Sequence, residues 1–205
     1  MRIAFFGGTF DPPHLGHSEI ARRVLENNLT DLALFVPSWS PPHKGESPVT
    51  PFFHRMAMLK LAVDGVDGFA ISNIEERLKF IPSYTVKILK ELDREFPNDQ
   101  IQLMIGADSL STLHSWYCSE DLVKGREIIA YPREGFEVDI NTLKDHWPAS
   151  KASKLVDAIC NLPFNEVSST EIRSKISKGE NAGLMMEKTV YEYILEHNLY
   201  RKLKL

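Results

Sequence analysis

The chain has 205 residues, with 24 Lys and Arg against 28 Asp and Glu, and 43% of its residues are apolar. This composition is typical of a globular protein and predicts a single domain over residues 1–205. The slightly acidic balance argues against a nucleic-acid-binding protein, which needs a broad basic face. Two cysteines, Cys118 and Cys160, are too few for a disulfide framework and fit a reducing cytoplasm.

The apolar run near the N-terminus, "IAFF", is much shorter than a signal-peptide core. No later run is long enough to cross a bilayer. We therefore expect a cytoplasmic protein without a membrane partner, and the sequence specifies no oligomeric state.

Short apolar runs alternate with longer helical patterns along the chain. The predicted strands are residues 2–6, 32–36, 69–72, 101–106, 127–131 and 158–162. Most of these runs are continuously apolar, as in a parallel sheet that is covered on both faces.

Helix starts are predicted from capping residues. They are Thr50 with Pro51 at the first helical position, Ser83, the pair Ser168 and Glu171, and a last helix over about 187–197. The inward faces are predicted to carry Phe52, Met56, Leu59 and Val63, then Val86, Leu89 and Phe96, then Ile172 and Ile176 before a stop at Gly179.

This alternation predicts an α/β, Rossmann-like three-layer fold, in which helices flank a mostly parallel sheet. Ligands of such folds bind at the carboxyl ends of the strands. The longest predicted irregular segments are 37–51 and 132–157, and loops of that length are often functional.

The most informative stretch is "GGTFDPPHLGH", residues 7–17. Gly7 and Gly8 allow backbone to approach a ligand closely, and the two prolines stiffen the turn before a helix that begins near His14. That helix presents His14 and His17 on one face of its first turn. Free amides and the helix dipole favour an anion at this position.

Other interpretations of the two histidines are weaker. The dinucleotide fingerprint G-x-G-x-x-G and the Walker A loop are both absent. Metal-binding pairs usually lie four residues apart and have a further ligand, which is not evident. An isolated H-x-x-H could also simply cap or pack a helix, but the glycines and prolines beside it favour a phosphate site.

The segment "VSSTEIR", residues 167–173, predicts a second anion site. Ser168, Ser169 and Thr170 offer hydroxyls and free amides at a capped helix start, and Arg173 lies within its first turn. An ordinary capping box with a solvated arginine is the alternative.

With its H-L-G-H core, the first stretch resembles the nucleotidyltransferase superfamily whose H-x-G-H motif binds the phosphates of ATP. Within it the chain resembles the bacterial nicotinate-nucleotide adenylyltransferase family. Further pieces follow in the order of that family: "PPHK" (41–44), "EERLKFIPSYTVKIL" (75–89), "IGADSLSTLHSW" (105–116), "PREG" (132–135) and "VSSTEIR" (167–173).

The resemblance implies an ATP site with His14, His17 and Arg173 as catalytic residues. The further implied ATP-binding residues are Gly7, Gly8, Thr9, Phe10, Asp108, Ser109, Arg133, Ser168 and Ser169. Glu134 replaces a proline that is usual in the family, so the loop that carries Arg133 departs from the family pattern at this position. Asp108 follows a predicted strand and could instead cap the next helical turn.

The resemblance also implies a site for nicotinate mononucleotide. Its implied residues are Lys44, Ser83, Tyr84, Thr85, Gly106, Asp108 and Trp116. Trp116 would stack on the pyridine ring, although a tryptophan is as often part of the core. The Ser83–Tyr84–Thr85 turn would bind the carboxylate. Lys44 would bind a phosphate, although it could also be an ordinary surface lysine.

The implied reaction transfers the adenylyl group of ATP to nicotinate mononucleotide, with Mg²⁺ bound through ATP oxygens and water and no protein metal ligand. Two alternatives remain open. One is an adenylyltransferase for phosphopantetheine, which usually has T-x-G-H; the other is a non-catalytic nucleotide-binding protein of the same fold.

Overall fold

The structure is a computed structural model that describes residues 1–40, 49–133, 135–162 and 167–201. Within these ranges five strands form one sheet in the order β3–β2–β1–β4–β5, and all four strand pairs are parallel. The strands are β1 (Arg2–Gly8), β2 (Leu32–Pro37), β3 (Phe69–Ile71), β4 (Gln100–Gly106) and β5 (Ile128–Tyr131).

Helices connect the strands and cover both faces of the sheet. They are α1 (Leu15–Glu26), α2 (Phe52–Val63), α3 (Ile74–Leu78), α4 (Thr85–Glu95), α5 (Ala107–Thr112), α6 (Ser119–Val123), α7 (Ile140–Lys144), α8 (Ala149–Asp157), α9 (Ser169–Ser177) and α10 (Lys188–Glu196). None of the helices in the described ranges is long and apolar enough to cross a membrane.

The apolar residues of the strands divide into two cores, one on each face of the sheet. Phe6 and Phe35 belong to the core shared with α1, α2, α9 and α10. Ile3 and Leu103 belong to the core shared with α3, α4 and α8. The strands are continuously apolar because both faces of the sheet are covered, as predicted. The predicted three-layer α/β fold is confirmed.

The central strand β1 places the first motif at the point where the strand order of the sheet reverses. It pairs with β2 on one side and with β4 on the other. Crevices beyond the carboxyl ends of such strands are where α/β folds bind ligands. Gly8 ends β1 and Gly106 ends β4, so the "GGTF" and "IGADSL" motifs lie side by side.

The predicted strand 158–162 is wrong. Only Ile159 forms a bridge, to Ala130, through a bond from the Ala130 amide to the Ala158 carbonyl and one from the Cys160 amide back to the Ala130 carbonyl. A tight turn, in which the Leu162 amide donates to the Cys160 carbonyl at 2.9 Å, ends the pairing after one residue.

Two predicted helix caps are also wrong. Helix α2 has Pro51, not Thr50, as its N-cap, and the Thr50 backbone is bonded elsewhere. Helix α4 has Tyr84 as its N-cap, while the Ser83 hydroxyl donates to the Phe80 carbonyl at 3.1 Å.

The segment 132–157, predicted to be irregular, instead contains α7 and α8. These helices are short, and each buries only one or two side chains, such as Leu143 in α7 and Leu155 in α8. Their apolar periodicity is therefore too weak to identify from the sequence.

Candidate active site

The histidine motif forms the N-terminus of α1. His14 is the N-cap, with extended backbone, and its amide donates to Nδ1 of His17 at 3.2 Å. The two imidazole rings stack, with centroids 3.7 Å apart. Because Nδ1 of His17 accepts this bond, the ring proton of neutral His17 lies on Nε2, which can donate to a ligand.

Both histidines are neutral at pH 7 in the ligand-free protein. Burial, with a contribution from the positive charge of Arg133, lowers the pKa of His14 to about 3. Burial also lowers the pKa of His17 well below its usual value, and both His14 and Arg133 add to this effect. Nδ1 of His14 is buried without a hydrogen-bond partner among the described residues, which leaves a polar atom for a ligand to satisfy.

The two glycines before this helix leave space for the aromatic rings that pack against them. A Cβ atom on Gly7 would lie 2.7 Å from the Phe5 ring, and one on Gly8 would lie 2.9 Å from the Phe10 ring. Phe10 is only 2% exposed, and its ring packs against Phe6 and His17. The Phe10 side chain, predicted to belong to the ATP site, is thus part of the core, and only its backbone is left for a ligand.

The second motif lies against the first. Ser169 Oγ donates to the Pro12 carbonyl at 2.8 Å, and Arg173 Nη1 donates to the Asp11 carbonyl at 2.7 Å. Ser168 caps α9 by accepting from the Glu171 amide at 3.1 Å, as predicted. Two segments that are more than 150 residues apart in the chain therefore form one surface.

Asp108 follows β4 and Arg133 follows β5, and the charge of Arg133 acts on both histidines. Arg133 Nε is 3.6 Å from Asp108 Oδ1, and both side chains are about half exposed. Asp108 lies in the first turn of α5 and is not its cap, which is Gly106. A Cβ atom on Gly106 would lie 2.3 Å from Asp108 Oδ1, so this glycine leaves the space that the carboxylate occupies.

A cavity of about 390 Å³ extends from the end of β1 to the start of α4. At one end lie Gly7, Gly8, Thr9 and Ser109; at the other lie Ser83, Tyr84, Thr85 and Trp116. Trp116 is partly buried and packs against the core, so it is both a core residue and a cavity wall. Among the described residues no side chain caps α4, which leaves first-turn amides facing this end of the site.

A buried acid, Glu75, also lines this cavity and was not predicted from the sequence. Glu75 is 4% exposed and lines the wall, where its carboxylate accepts from the Trp39 amide at 2.8 Å. Burial raises the pKa of Glu75. Three of its neighbours, Glu76, Arg77 and Lys79, are charged and at least partly exposed, so no periodic signal separates Glu75 from a surface residue.

Three further residues next to the site were missed as well: Asp11, Arg55 and Tyr200. Each contacts the loop after β1 or its immediate neighbours. Lys44, together with Glu134, lies outside the described residues, so its predicted role stays a prediction. The described ranges contain no group of three or more His, Cys, Asp or Glu side chains arranged to hold a metal ion.

Comparison with known proteins identifies the family. Residues 5–175 match the cytidylyltransferase-like family. The chain is 35% identical over 199 residues to nicotinate-nucleotide adenylyltransferase of Bacillus subtilis, covering 97% of this chain and 98% of the relative. It is also 35% identical to a probable nicotinate-nucleotide adenylyltransferase of Thermomicrobium roseum, over 98% of this chain and 92% of that one.

Solved structures agree on the fold. The nicotinic acid mononucleotide adenylyltransferase of Plasmodium falciparum complexed with NaAD superposes with a TM-score of 0.77 at 21% identity, covering 97% of each chain. The same protein complexed with APC gives 0.76. With its H-L-G-H turn, its second motif and its full-length relatives, the chain belongs to the cytidylyltransferase-like family and, within it, to the nicotinate-nucleotide adenylyltransferases.

Proposed function

We propose that this protein transfers the adenylyl group of ATP to nicotinate mononucleotide, giving nicotinate adenine dinucleotide and pyrophosphate. The observation that carries the proposal is the position of the histidine-bearing helix start, which follows Gly7, Gly8 and Thr9, three residues that line one end of an aromatic cavity. The full-length relatives, which have this activity in their names, support it. The two free cysteines fit the reducing cytoplasm, where we expect the reaction to occur.

The chemical step needs no activated protein nucleophile. A 5′-phosphate oxygen of the mononucleotide attacks the α-phosphorus of ATP, and the bond from that phosphorus to the α–β bridging oxygen breaks. Pyrophosphate leaves with the electron pair. The protein therefore contributes alignment of two anions and stabilisation of the charge that develops on the phosphate oxygens.

At the phosphate end, His14, His17 and the first-turn amides of α1 would bind the ATP phosphates. The structure revises their form, since the depressed pKa values make both imidazoles neutral donors in the free protein. Bound phosphates would raise these pKa values again, because a nearby negative charge favours the imidazolium. Arg173 and Ser169 hold the loop in the free protein, and Arg173 Nη2 lies 3.2 Å from the Thr170 hydroxyl near the surface.

At the other end, the start of α4 would bind the nicotinate carboxylate. Amides of the first turn and the Thr85 hydroxyl present donors, and Trp116 supplies a wall for the pyridine ring. Several donors at this position can bond to both oxygens of a carboxylate. The NH₂ group of an amide is itself a donor and cannot accept these bonds, so nicotinamide mononucleotide should bind less well. Asp108 and Ser109 would accept ribose hydroxyls between the two ends.

Mg²⁺ is expected to arrive with ATP. Because the described residues offer no metal-holding cluster of side chains, its ligands would be phosphate oxygens and water, an arrangement that this ion favours. Bound there, it would offset negative charge on the phosphates.

The test measures pyrophosphate release by purified protein with ATP, Mg²⁺ and each of three acceptors: nicotinate mononucleotide, nicotinamide mononucleotide and phosphopantetheine. We expect turnover to be fastest with nicotinate mononucleotide. Absence of turnover with all three would show that the protein is not this enzyme. Faster turnover with phosphopantetheine would favour the other adenylyltransferase, and preference for the amide would refute only the acid specificity.

A further inference from the structure

The loop that follows β1 directs its carbonyl oxygens into the protein. The carbonyl of Gly8, the last residue of β1, and three of the four carbonyls of loop residues 9–12 each accept a bond from another segment. The donors are the Ser38 amide to Gly8 at 2.8 Å, Arg55 Nη1 to Thr9 at 2.8 Å, Arg173 Nη1 to Asp11 at 2.7 Å and Ser169 Oγ to Pro12 at 2.8 Å.

This orientation matters for an anion site. A phosphate is repelled by carbonyl oxygens and attracted by amide N–H groups, so a phosphate-binding loop must turn its carbonyls away from the ligand. Donors in other segments that form hydrogen bonds to those carbonyls hold the loop in the orientation that a phosphate needs.

Arg55 is the most buried of these donors, with an exposure of 2%. Its guanidinium joins Thr9 to the segment before α2, because Nε donates to the Thr50 carbonyl at 2.8 Å. Burial lowers the pKa of Arg55, and the negative charge of Asp11 opposes that effect. A buried cation at this position is therefore balanced by an acid of the same loop.

Asp11 is equally buried and is held from the opposite end of the chain. Its Oδ1 accepts from the Tyr200 hydroxyl at 2.7 Å, and its Oδ2 accepts from the Thr50 amide at 3.3 Å. Burial and the charge of Asp11 raise the pKa of Tyr200, so the phenol keeps its proton and donates. Tyr200, near the end of the described residues, thus holds the first motif in place through its bond to Asp11.

We propose that Asp11, Arg55 and Tyr200 are positioning residues for ATP, which hold the loop of residues 9–12 with its carbonyls inward and so leave the N–H groups of residues 9–11 available to the phosphates. The proposal rests on the proposed function in taking ATP as the ligand. None of the three residues has to touch ATP for this role.

The test compares Tyr200→Phe with a matched control, Tyr193→Phe. Both substitutions remove one hydroxyl near the C-terminus, but the Tyr193 hydroxyl bonds to His54 Nδ1 at 2.9 Å, away from the loop. The dissociation constant of ATP with Mg²⁺ is measured by calorimetry, the KM of nicotinate mononucleotide from pyrophosphate release, and the melting temperature for both variants.

We expect Tyr200→Phe to weaken ATP binding about three- to tenfold, because it removes a hydrogen bond to a buried carboxylate. The KM of nicotinate mononucleotide should change less than about twofold, and Tyr193→Phe should leave both values as in the wild type. Unchanged ATP binding in Tyr200→Phe, or an equal loss for both substrates, would overturn the proposal.

Arg55→Lys provides a second variant in case Tyr200→Phe does not fold. The substitution keeps the positive charge but removes the guanidinium, which bonds to the Thr9 and Thr50 carbonyls at the same time. ATP binding should therefore weaken about tenfold. ATP binding like that of the wild type would again overturn the proposal. Wild-type protein that binds ATP but releases no pyrophosphate with any acceptor would refute the proposed function and leave this inference standing.

Discussion

The two ends of the candidate site are built in different ways. At the phosphate end lie the N-terminus of α1, two neutral imidazoles and the loop that Arg173 and Ser169 hold from the far end of the chain. At the opposite end, here called the pyridine end, Trp116, Tyr84 and the buried acid Glu75 line a cavity.

In the proposed reaction, this difference corresponds to two separate tasks. Charge that develops during a reaction is best stabilised by dipoles that are already oriented, which a firmly held loop and helix start provide. Discrimination between a carboxylate and an amide depends on enclosure and on donors aimed at the ring substituent. Substitutions at the two ends should therefore change different kinetic constants.

The largest effect is expected for His17→Ala at the phosphate end. The change removes the Nε2 donor and also the acceptor that orders the His14 amide. The kcat for pyrophosphate release should fall by about 100- to 1000-fold, the loss typical of one oriented donor to a transition state. The KM of nicotinate mononucleotide should stay within about threefold.

His197→Ala is the matched control for this variant, because His197 is exposed near the end of α10. It should leave kcat unchanged. A folded His17→Ala protein with nearly normal kcat would show that His17 does not act on the phosphates.

A smaller effect is expected for Trp116→Ala at the pyridine end. Loss of the aromatic wall should raise the KM of nicotinate mononucleotide about tenfold, in the range of a lost stacking contact. The ATP constant should change less than about twofold. Trp116→Phe, which keeps an aromatic ring, should recover most of the affinity, and equal losses for both substrates would remove the distinction between the two ends.

The last prediction concerns stability and not activity: the phosphate end should make the free energy of unfolding depend on pH. The pKa of His14 is about 3 in the folded protein, below its value of about 6.5 in an unfolded chain. The unfolded state therefore binds more protons between these values. The stabilisation from neutral His14 is complete above about pH 6.5 and is lost as the pH falls toward 3, by at most about 1.4 kcal/mol per pH unit.

Urea unfolding of wild type and His14→Asn at several pH values between 7 and 4 measures this contribution. The free energy of unfolding of the variant should fall less steeply as the pH decreases, because its side chain does not titrate. Parallel curves for the two proteins would mean that His14 is not buried as a neutral base. Trp116→Phe should follow the wild-type curve, since the pyridine end does not contain this group.

Local patterns in the sequence were sufficient to predict several elements. The apolar runs for β1, β2 and β4 and the cap of α9 at Ser168 are confirmed, since each depends on residues adjacent in the chain. The strand predicted at residues 158–162 is wrong because pairing with a sheet does not depend only on residues adjacent in the chain. Whether an apolar segment joins a sheet depends on the space beside the edge strand, and here a turn after Cys160 ends the pairing.

The sequence by itself determined which chemical groups are available: glycines and histidines at a helix start, a capped second helix with Arg173, and aromatic residues near 116. Only the tertiary structure decided their states and partners. Burial made the imidazoles neutral, packing placed Phe10 in the core, and Tyr200 and Arg55 came to the first motif from distant segments. Burial and long-range hydrogen bonding are properties of the folded chain, so no local pattern specifies them.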